Sequence, residues 1–420
     1  MAQNFTSLVE FSPGLTNEKL NQTLSDWFKE DVKFTHWEYV NELGKGDSYL
    51  SEVFRMRIYG NGQNGQSKQV QVILKTIPKN LARRLTYRSD EFFKNEINFY
   101  EKVLPTLLKF QENKNVTSPF DNYAKLFLSY SDGINDVICL EDASLHNFAS
   151  AVRFVGIDYD HFKNVFKALA QFHALSFAMK DQEPQEFEKL KHVLIETYYH
   201  DRLRDWYTRF WNRISGIAID AVEREYPDSI YVEKIKQFAV PERYDDMIKA
   251  VSSDVETAVI SHGDSWTNNF LFQYDNGVPV DAKIIDFQLA RCATPALDVA
   301  FAVYACTSKD LRDAHYEELL QYYHDILSDR IREMGSDPEK VYPYSLFKEE
   351  LKKYSYFGLA FSFESTPMIV LSPEDAVDMD VQGEEKLNID DVWQIGPFET
   401  KEGRQREANN VVHCVDNGFI

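Results

Sequence analysis

Cysteine is scarce in this chain, which has four cysteines among its 420 residues. They form no CxxC pair and lie far apart, at Cys139, Cys292, Cys306 and Cys414. Widely spaced cysteines without a nearby histidine cluster argue against a disulfide framework and against a zinc site. The pattern suits a reducing compartment, where thiols stay free.

Positive charge is also in short supply. The chain has 46 lysines and arginines against 67 aspartates and glutamates, which gives a formal net charge of −21. A field of this sign repels nucleic acid and anionic membrane surfaces, so we expect neither as a partner. The excess is compatible with a cationic acceptor, but a solvated acidic surface is the favoured explanation.

Long apolar runs are absent. The longest apolar stretch, residues 356–371, is interrupted by Glu364 and Pro367 and is too short to span a bilayer. The first residues, MAQNFTSLVEFSPG, have neither the basic region nor the apolar region of a signal peptide. We therefore expect a cytoplasmic protein.

The length of the chain indicates two lobes, because 420 residues exceed what one compact core usually holds. Residues 1–142 are predicted to be β-rich, with strands at 36–43, 49–57, 70–77, 124–130 and 137–140 and helices at 16–28 and 90–104. Residues 143–420 are predicted to be helical at 158–180, 186–214, 216–252, 295–307, 309–335 and 343–364, with short strands at 257–261, 270–274 and 282–286. We expect an α+β fold, with a partly mobile acidic tail from about residue 372.

One segment carries a specific chemical pattern: SHGDSWTNN at 261–269, followed by IIDF at 284–287. Asp264 follows a strand and a glycine, and a hairpin between Asn269 and Asp286 is predicted to bring these two side chains together. Carboxylate and amide oxygens are ligands that Mg²⁺ accepts. Phosphoryl transfer needs such a metal, together with a carboxylate that orients the acceptor hydroxyl. Taken singly, these residues could be turn-formers and a strand-end cap.

The β-rich part supplies candidate nucleotide contacts. A glycine-containing turn between two strands can bring backbone amides close to phosphates, although an ordinary hairpin turn explains it as well; its residues are Gly44, Lys45, Gly46, Asp47 and Ser48. Lys75 ends an apolar strand, and Glu96 follows it by 21 residues in the main helix. An ion pair between Lys75 and Glu96 would hold the amine for phosphate binding, although Glu91 or Glu101 could compete.

The passage between the two predicted lobes is a candidate adenine site. The strand Val137–Leu140 ends in Glu141, Asp142 and Ala143. An adenine base could form hydrogen bonds there with the backbone of Glu141 and Ala143. The side chains in this stretch are less informative.

With these residues in view, the chain resembles the ecdysteroid-kinase-like family, also called choline-kinase-like. This family lies within the protein-kinase-like small-molecule phosphotransferases. The resemblance covers most of residues 35–370, and the matching segments are VILKTIP at 72–78, FFKNEINFYEKVLP at 92–105, LAQFHALSFAM at 169–179, SHGDSWTNNFLF at 261–272 and KIIDFQLARCATPALDVAFAV at 283–303. It implies a bilobal protein-kinase-like fold with a small β-rich N-lobe and a large helical C-lobe.

The resemblance also implies a role for each candidate residue. Asp264 would be the catalytic base, and Asn269 and Asp286 would bind magnesium. Lys75 and Glu96 would anchor the phosphates of ATP, beneath the loop at 44–48. His262 and Asp298 would support the catalytic loop. His173, on a long helix, is expected to be a packed core residue.

Some features depart from the protein-kinase pattern. The turn Gly44–Lys45–Gly46 lacks a third glycine, no arginine precedes Asp264, and Gln288 stands where protein kinases have glycine. The segment 288–295 is too short for a phosphorylation-controlled activation loop. We therefore expect an unswitched small-molecule kinase rather than a protein kinase.

The leading hypothesis is an ATP- and Mg²⁺-dependent kinase acting on a hydroxyl of a small, rather apolar acceptor. The family resemblance implies an ecdysteroid-like acceptor or a foreign alcohol, the latter a detoxification role. Choline or ethanolamine phosphorylation is a second hypothesis, and a nucleotide-binding pseudokinase scaffold is a third. Aromatic residues crowd 198–211, but at helical spacing they are expected more often in a core than in a pocket. The oligomeric state is left open.

Overall fold

The structure is a computed structural model, and it describes residues 6–42, 50–151, 157–370, 381 and 383–420. Its N-terminal part is built on a five-stranded antiparallel sheet with strand order β1-β2-β3-β5-β4. The strands are β1 (Lys33–Glu42), β2 (Glu52–Asn61), β3 (Ser67–Thr76), β4 (Leu126–Tyr130) and β5 (Val137–Glu141). All five strands were predicted from the sequence, with boundaries shifted by a few residues.

Alternation of side chains explains how this sheet buries one face. Phe54, Met56 and Ile58 of β2 point to the same side, and all three are buried. They share a hydrophobic cluster with Leu20 and Leu24 of helix α1 (Asn17–Phe28). The helix therefore covers one face of the sheet, and its apolar stripe is the one that the sequence predicts.

The main helix of this part is longer than predicted. Helix α2 (Leu81–Tyr87) is followed by α3 (Ser89–Asn98), a π-helical turn (Phe99–Val103) and α4 (Leu104–Glu112). The predicted end at Pro105 is wrong, because this proline lies in the first turn of α4. Pro105 lies just after the π-helical turn, where the regular hydrogen-bond pattern of the helix is already interrupted, so a residue without an N–H is tolerated.

The remainder is mostly helical. Its helices are α5 (Tyr159–Gln182), α6 (Pro184–Lys191), α7 (Arg204–Glu225), α8 (Ile230–Phe238), α9 (Arg243–Ala250), α10 (Ala296–Cys306), α11 (Lys309–Glu333), α12 (Pro338–Val341), α13 (Tyr344–Val370), α14 (Ile389–Val392) and α15 (Lys401–Asp416). Its strands are β6 (Phe148–Ser150), β7 (Val259–Ser261), β8 (Phe270–Asp275), β9 (Val278–Ile284) and β10 (Arg291–Ala293). They form a three-stranded sheet, β6-β8-β9, and a pair, β10-β7. The predicted α+β class, β-rich first and helical afterwards, is confirmed.

Two long predicted helices are wrong. The stretch predicted as 186–214 contains a non-helical passage between α6 and α7, and the stretch predicted as 216–252 is divided into the end of α7, α8 and α9. Pro227 and Pro241 lie at the two later breaks, where a proline disfavours helical geometry in the preceding residue. The tail is also more regular than expected, since α15 buries Val411 and Cys414 and packs against α7 and α13.

No helix in the described part of the chain is both long and apolar enough to cross a membrane. The longest, α13, is instead buried in the protein, where it crosses α10 at very short range. A Cβ on Gly358 would lie 2.4 Å from both the carbonyl carbon and the oxygen of Ala300. Glycine is therefore required at 358 for the two backbones to approach.

This crossing leads to a stability prediction. Gly358→Ala should lower the free energy of unfolding by about 1–3 kcal/mol, because the added methyl group meets backbone that cannot rotate aside. Gly216→Ala is the control, since this exposed glycine in α7 has nothing within 4 Å of the added Cβ. It should gain about 0.5–1 kcal/mol from helix propensity. Urea unfolding measures both, and equal changes in the two variants would contradict the close crossing.

Candidate active site

The HGD turn presents Asp264 at the end of β7. Gly263 has φ of +82°, and a Cβ there would lie 2.1 Å from the carbonyl oxygen of Leu289. Both the left-handed backbone and the lack of space therefore require glycine. Asp264, next in the chain, is held in place by a turn that other residues cannot form without strain.

Asp298, in the first turn of α10, fixes this turn through its backbone. Its carboxylate accepts hydrogen bonds from the N–H of His262 (2.6 Å), the N–H of Gly263 (2.8 Å) and Nε2 of His173 (3.0 Å). Burial would raise the pKa of Asp298, but the hydrogen bond and charge of His173 and the charge of His262 hold it below its ordinary value. The carboxylate therefore stays ionised and joins α5, α10 and the turn.

His262 and His173 contact different parts of the site. His262 Nε2 lies 2.9 Å from the carbonyl oxygen of Ile285, which links the turn to the strand end that carries Asp286. His173 is fully buried, and its Nδ1 lies 2.7 Å from the hydroxyl of Tyr323. His173 is thus in the core, as expected, but it also holds Asp298 in place.

The predicted hairpin between Asn269 and Asp286 is present. Phe270 of β8 pairs with Ile284 of β9, and the N–H of Ile285 donates to the carbonyl oxygen of Asn269 at 3.0 Å. Asn269 and Asp286 therefore emerge at the same end of the hairpin. Asp286 has φ of 65° and ψ of 66°, a conformation that non-glycine residues seldom adopt outside functional sites.

Lys75 joins the sheet to this hairpin. Its Nζ donates to Oε2 of Glu96 in α3 (2.7 Å) and to Oδ1 of Asp286 (2.8 Å). The two competing glutamates lie elsewhere: Glu91 pairs with Arg88 and Arg202, and Glu101 accepts from Ser129. Of the three alternatives that the sequence left open, the ion pair with Glu96 is the one present.

Burial and charge shift the titration of this cluster. Burial would lower the pKa of Lys75, but the carboxylates of Asp286 and Glu96 raise it above its ordinary value. Burial raises the pKa of Glu96 to about 7 against the charge of Lys75. The Lys75 ammonium is therefore kept charged, and two acidic groups surround it.

Asp264 is connected to the same cluster through Asn269. The side-chain Nδ2 of Asn269 donates to the backbone oxygen of Asp264 (2.8 Å) and to its Oδ2 (2.9 Å). Burial raises the pKa of Asp264 to about 7, and the charge of Asp286 adds to the rise. Because Nδ2 of Asn269 is used in this way, its Oδ1 is the atom left for a cation.

The donor set of Asn269 and Asp286 suits magnesium. Both side chains offer hard oxygen atoms, and Mg²⁺ in phosphate sites is commonly held by one or two protein groups with phosphate and water completing the shell. No cluster of three or more histidine, cysteine, aspartate or glutamate residues fit to bind a metal lies in the described residues. These two residues therefore fit a metal shared with a phosphate ligand better than a metal enclosed by protein alone.

The adenine contacts at the backbone of Glu141 and Ala143 stay a prediction, and the structure shows which backbone groups are already used. The N–H of Glu141 donates to the carbonyl oxygen of Lys125 at 2.8 Å, so it is used within the sheet edge. The Glu141 carboxylate lies 3.7 Å from Nζ of Lys283. A base at this position would have to use the carbonyl of Glu141 and the N–H of Ala143. The predicted phosphate loop, residues 44–48, lies outside the described residues.

Asn95 is a residue that sequence reasoning missed. It is fully buried, and its Nδ2 donates to the carbonyl oxygens of Gln288 (3.0 Å) and Ala290 (2.8 Å), while its Oδ1 accepts from the N–H of Ile195 (3.0 Å). The side chain next to Glu96 thus joins α3 to the segment after Asp286. A polar residue three positions after Phe92, on the apolar stripe of the helix, was the available signal.

A second missed group is the ion pair between Arg291 and Glu196. Arg291 Nε lies 2.8 Å from Oε2 of Glu196, and Glu196 Oε1 accepts from the N–H groups of Tyr198 (2.7 Å) and Tyr199 (2.8 Å). Arg291 is almost fully buried, and its positive charge acts to lower the pKa of Asp264. We call residues 195–199 the tyrosine segment. Glu196 anchors this segment to Arg291 of β10, the strand that pairs with β7 directly before the catalytic turn.

Removal of the Asn95 side chain should destabilise the protein and loosen α3. Asn95→Ala should lower the free energy of unfolding by about 2–4 kcal/mol, because three buried backbone groups lose their partner. Asn98→Ala, at the end of α3, is the control, since its Nδ2 makes one long bond of 3.4 Å to Val193. Amide hydrogen exchange should become faster in α3 for the Asn95 variant alone. Unchanged exchange in α3 would show that Asn95 does not hold this helix.

Comparison with known proteins agrees with the pattern of residues. The chain matches the model of the ecdysteroid kinase-like family over residues 45–336, and no curated protein matches it significantly. A Plasmodium vivax ethanolamine kinase structure is 11% identical, with 98% of this chain and 89% of that chain covered and a TM-score of 0.42. The GDP complex of wild-type aminoglycoside 2'-phosphotransferase-IIIa is 13% identical, with coverage of 95% and 99% and a TM-score of 0.38. Because the family match extends over well over half of the sequence, the chain belongs to the ecdysteroid kinase-like family of small-molecule phosphotransferases.

Proposed function

We propose that the protein is an ATP-dependent kinase that transfers the γ-phosphoryl group to a hydroxyl of a small, largely apolar acceptor. The observation that carries this proposal is the contact of Lys75 with both Glu96 and Asp286, next to the Asn269–Asp264 pair. A cation for phosphates, oxygen ligands for a metal and a carboxylate for the acceptor thus lie together. These are the groups that phosphoryl transfer requires.

Lys75 is the proposed phosphate anchor. Its ammonium is directed by two carboxylates, and the charge is maintained because its pKa is raised. A triphosphate entering this site would replace part of the interaction with Asp286. Glu96 would keep the amine in position, since it is almost fully buried and lies on α3, which Asn95 holds.

Asn269 and Asp286 are the proposed magnesium ligands. When bound, Mg²⁺ would neutralise negative charge on the phosphates. Asn269 Nδ2 donates to Asp264, which orients the amide so that its oxygen is available. The hairpin bond between Ile285 and Asn269 keeps the two ligands at one strand end.

Asp264 is the proposed general base. Its pKa of about 7 lies in the range that suits a base working near neutral pH. The side chain is partly exposed, whereas the turn that carries it is buried. An acceptor can therefore reach the carboxylate without disturbing the hydrogen bonds that Asp298 makes to the turn.

The segment after Asp286 supports an unswitched enzyme. It forms a 3₁₀ turn (Phe287–Leu289) and then β10, which pairs with β7 directly before the HGD turn. Gln288 and Ala290 are held by Asn95, and Arg291 by Glu196. With these contacts already formed, no phosphorylation is needed to order the segment.

Ecdysteroid-like alcohols and foreign alcohols are the acceptor groups that we propose, the latter as a detoxification role in the cytoplasm. All four cysteines are free and buried, which suits a reducing compartment. A panel of sterols, phenolic alcohols and choline, supplied with ATP and Mg²⁺, should yield ADP and a phosphorylated product with at least one acceptor. Binding of ATP without turnover of any acceptor would favour the pseudokinase scaffold instead.

The role of Asp264 leads to a kinetic prediction. Asp264→Asn keeps the shape of the side chain but removes the base, so kcat should fall by about 10²–10⁴-fold. The affinity for ATP should change little, because Lys75, Glu96 and Asp286 are untouched. Steady-state kinetics and a fluorescent-nucleotide titration measure the two effects. A variant that retained most of its kcat would refute the assignment.

The role of Asp286 leads to a different outcome. Asp286→Asn should weaken binding of Mg·ATP by about ten- to a hundredfold, since a charged ligand to the metal and to Lys75 is lost. Asp275→Asn is the control, because Asp275 is exposed at the opposite end of the same hairpin. Titration with MgATP and with metal-free ATP separates metal binding from nucleotide binding. Equal losses in both titrations would count against a metal ligand at Asp286.

A further inference from the structure

Glu364 interrupts the most buried stretch of α13. Every residue from Phe357 to Ile369 is buried except Glu364, which is partly exposed. A helix face open to bulk solvent would show exposed residues at every third or fourth position. Glu364 is therefore the one residue of this stretch whose side chain keeps some contact with solvent.

This part of α13 packs against α10, the helix that follows the catalytic turn. One turn before Glu364, Phe361 stacks on Phe301 of α10, with ring centroids 4.2 Å apart. Helix α10 also carries Asp298, which holds the HGD turn. The packing of α13 against α10 therefore fixes Glu364 relative to Asp264, which is itself partly exposed.

Electrostatics agrees with this placement. Burial raises the pKa of Glu364 to about 8, and the negative charge of Asp264 contributes to the rise. No lysine, arginine or histidine in the described part of the chain is among the groups that shift this pKa.

Within the described ranges of the chain, Glu364 has one hydrogen-bond partner. The hydroxyl of Tyr198 lies 2.6 Å from both carboxyl oxygens. One hydroxyl cannot fill the acceptor positions of a carboxylate, which number about four. The Tyr198 ring packs against Trp206 and Phe361, with centroids 5.4 and 5.6 Å away. The carboxyl group is therefore surrounded by an aromatic wall.

Tyr199 supports this wall from the inside of the protein. It is almost fully buried, and its ring packs against those of Tyr198 and Phe361, with centroids 5.2 and 5.9 Å away. The position of the Tyr198 ring beside the carboxyl group is therefore fixed by packing as well as by its hydroxyl.

We propose that Glu364 and Tyr198 form an acceptor subsite that binds a second hydrogen-bond donor on the molecule whose reactive hydroxyl faces Asp264. The inference rests on the kinase function proposed above. The acceptor class is an alcohol with an apolar body and a second donor group, either a hydroxyl or a protonated amine. Its body lies along the aromatic wall, its reactive hydroxyl faces Asp264, and its second donor faces Glu364.

The test compares three acceptors built on one ring skeleton: the monoalcohol, the diol and the amino alcohol. The wild-type protein should prefer the diol or the amino alcohol over the monoalcohol. Glu364→Gln should raise KM for the preferred acceptor about tenfold, the value of one hydrogen bond, and leave KM for ATP and for the monoalcohol unchanged. A larger loss with the amino alcohol than with the diol identifies the donor as an ammonium, and equal losses identify a hydroxyl.

Two further variants complete the test. Glu349→Gln is the matched control, because Glu349 lies on α13 but is exposed, and it should leave all three acceptors unaffected. Tyr198→Phe removes the hydroxyl and keeps the ring, and it should also act on the diol or amino alcohol alone. If Glu364→Gln does not fold, the kinetics of Tyr198→Phe test the proposed subsite instead. Wild-type preference for the monoalcohol, or equal losses for all acceptors, would overturn the proposal.

Failure of the proposed kinase function gives a different result. In that case wild-type protein transfers phosphate to none of the acceptors, although the subsite can still be examined by binding. Isothermal titration of the diol and the amino alcohol should then show weaker binding to Glu364→Gln than to wild-type protein. Equal affinity for the two proteins would overturn the subsite itself.

Discussion

The buried ammonium of Lys75 is the interaction on which the rest of the candidate site depends. It ends a strand of the N-terminal sheet, and its two partners come from α3 and from the strand end after the hairpin. A buried charge is tolerated only when it is paired, because the desolvation cost is large. The three elements must therefore meet at one point, and this requirement fixes how the sheet lies against the catalytic segment.

Around that point, backbone hydrogen bonds give the arrangement its rigidity. Asp298 accepts from the HGD turn, and Asn95 donates to the carbonyls after Asp286. Each of these polar groups is almost fully buried and uses its hydrogen bonds on main-chain atoms. Such contacts hold the backbone in positions that side-chain packing alone would leave adjustable. The geometry of the candidate site is then set by contacts within the fold.

Local patterns in the sequence predicted much of this arrangement. The five strands, the hairpin and the Lys75–Glu96 pair follow from alternation and from motif spacing. The division of the long helices was missed because apolar periodicity continues across Pro227 and Pro241. Asn95 and the Arg291–Glu196 pair were missed for another reason: their partners are 95 to 195 residues away in the chain. No local pattern encodes contacts of that kind.

The environment of Glu364 is another feature that local sequence patterns do not predict. In the sequence it is only an acidic interruption of an apolar run, and the run alone does not distinguish a surface residue from one in a cleft. The packing of α13 on α10 makes the distinction, because it surrounds the carboxyl group with buried neighbours. The tyrosine segment connects the proposed nucleotide side of the site to the proposed acceptor side. Ile195 contacts Asn95, which is next to Glu96, and Tyr198 contacts Glu364. The proposed acceptor side and the Lys75–Glu96 pair are therefore connected through residues 195–198.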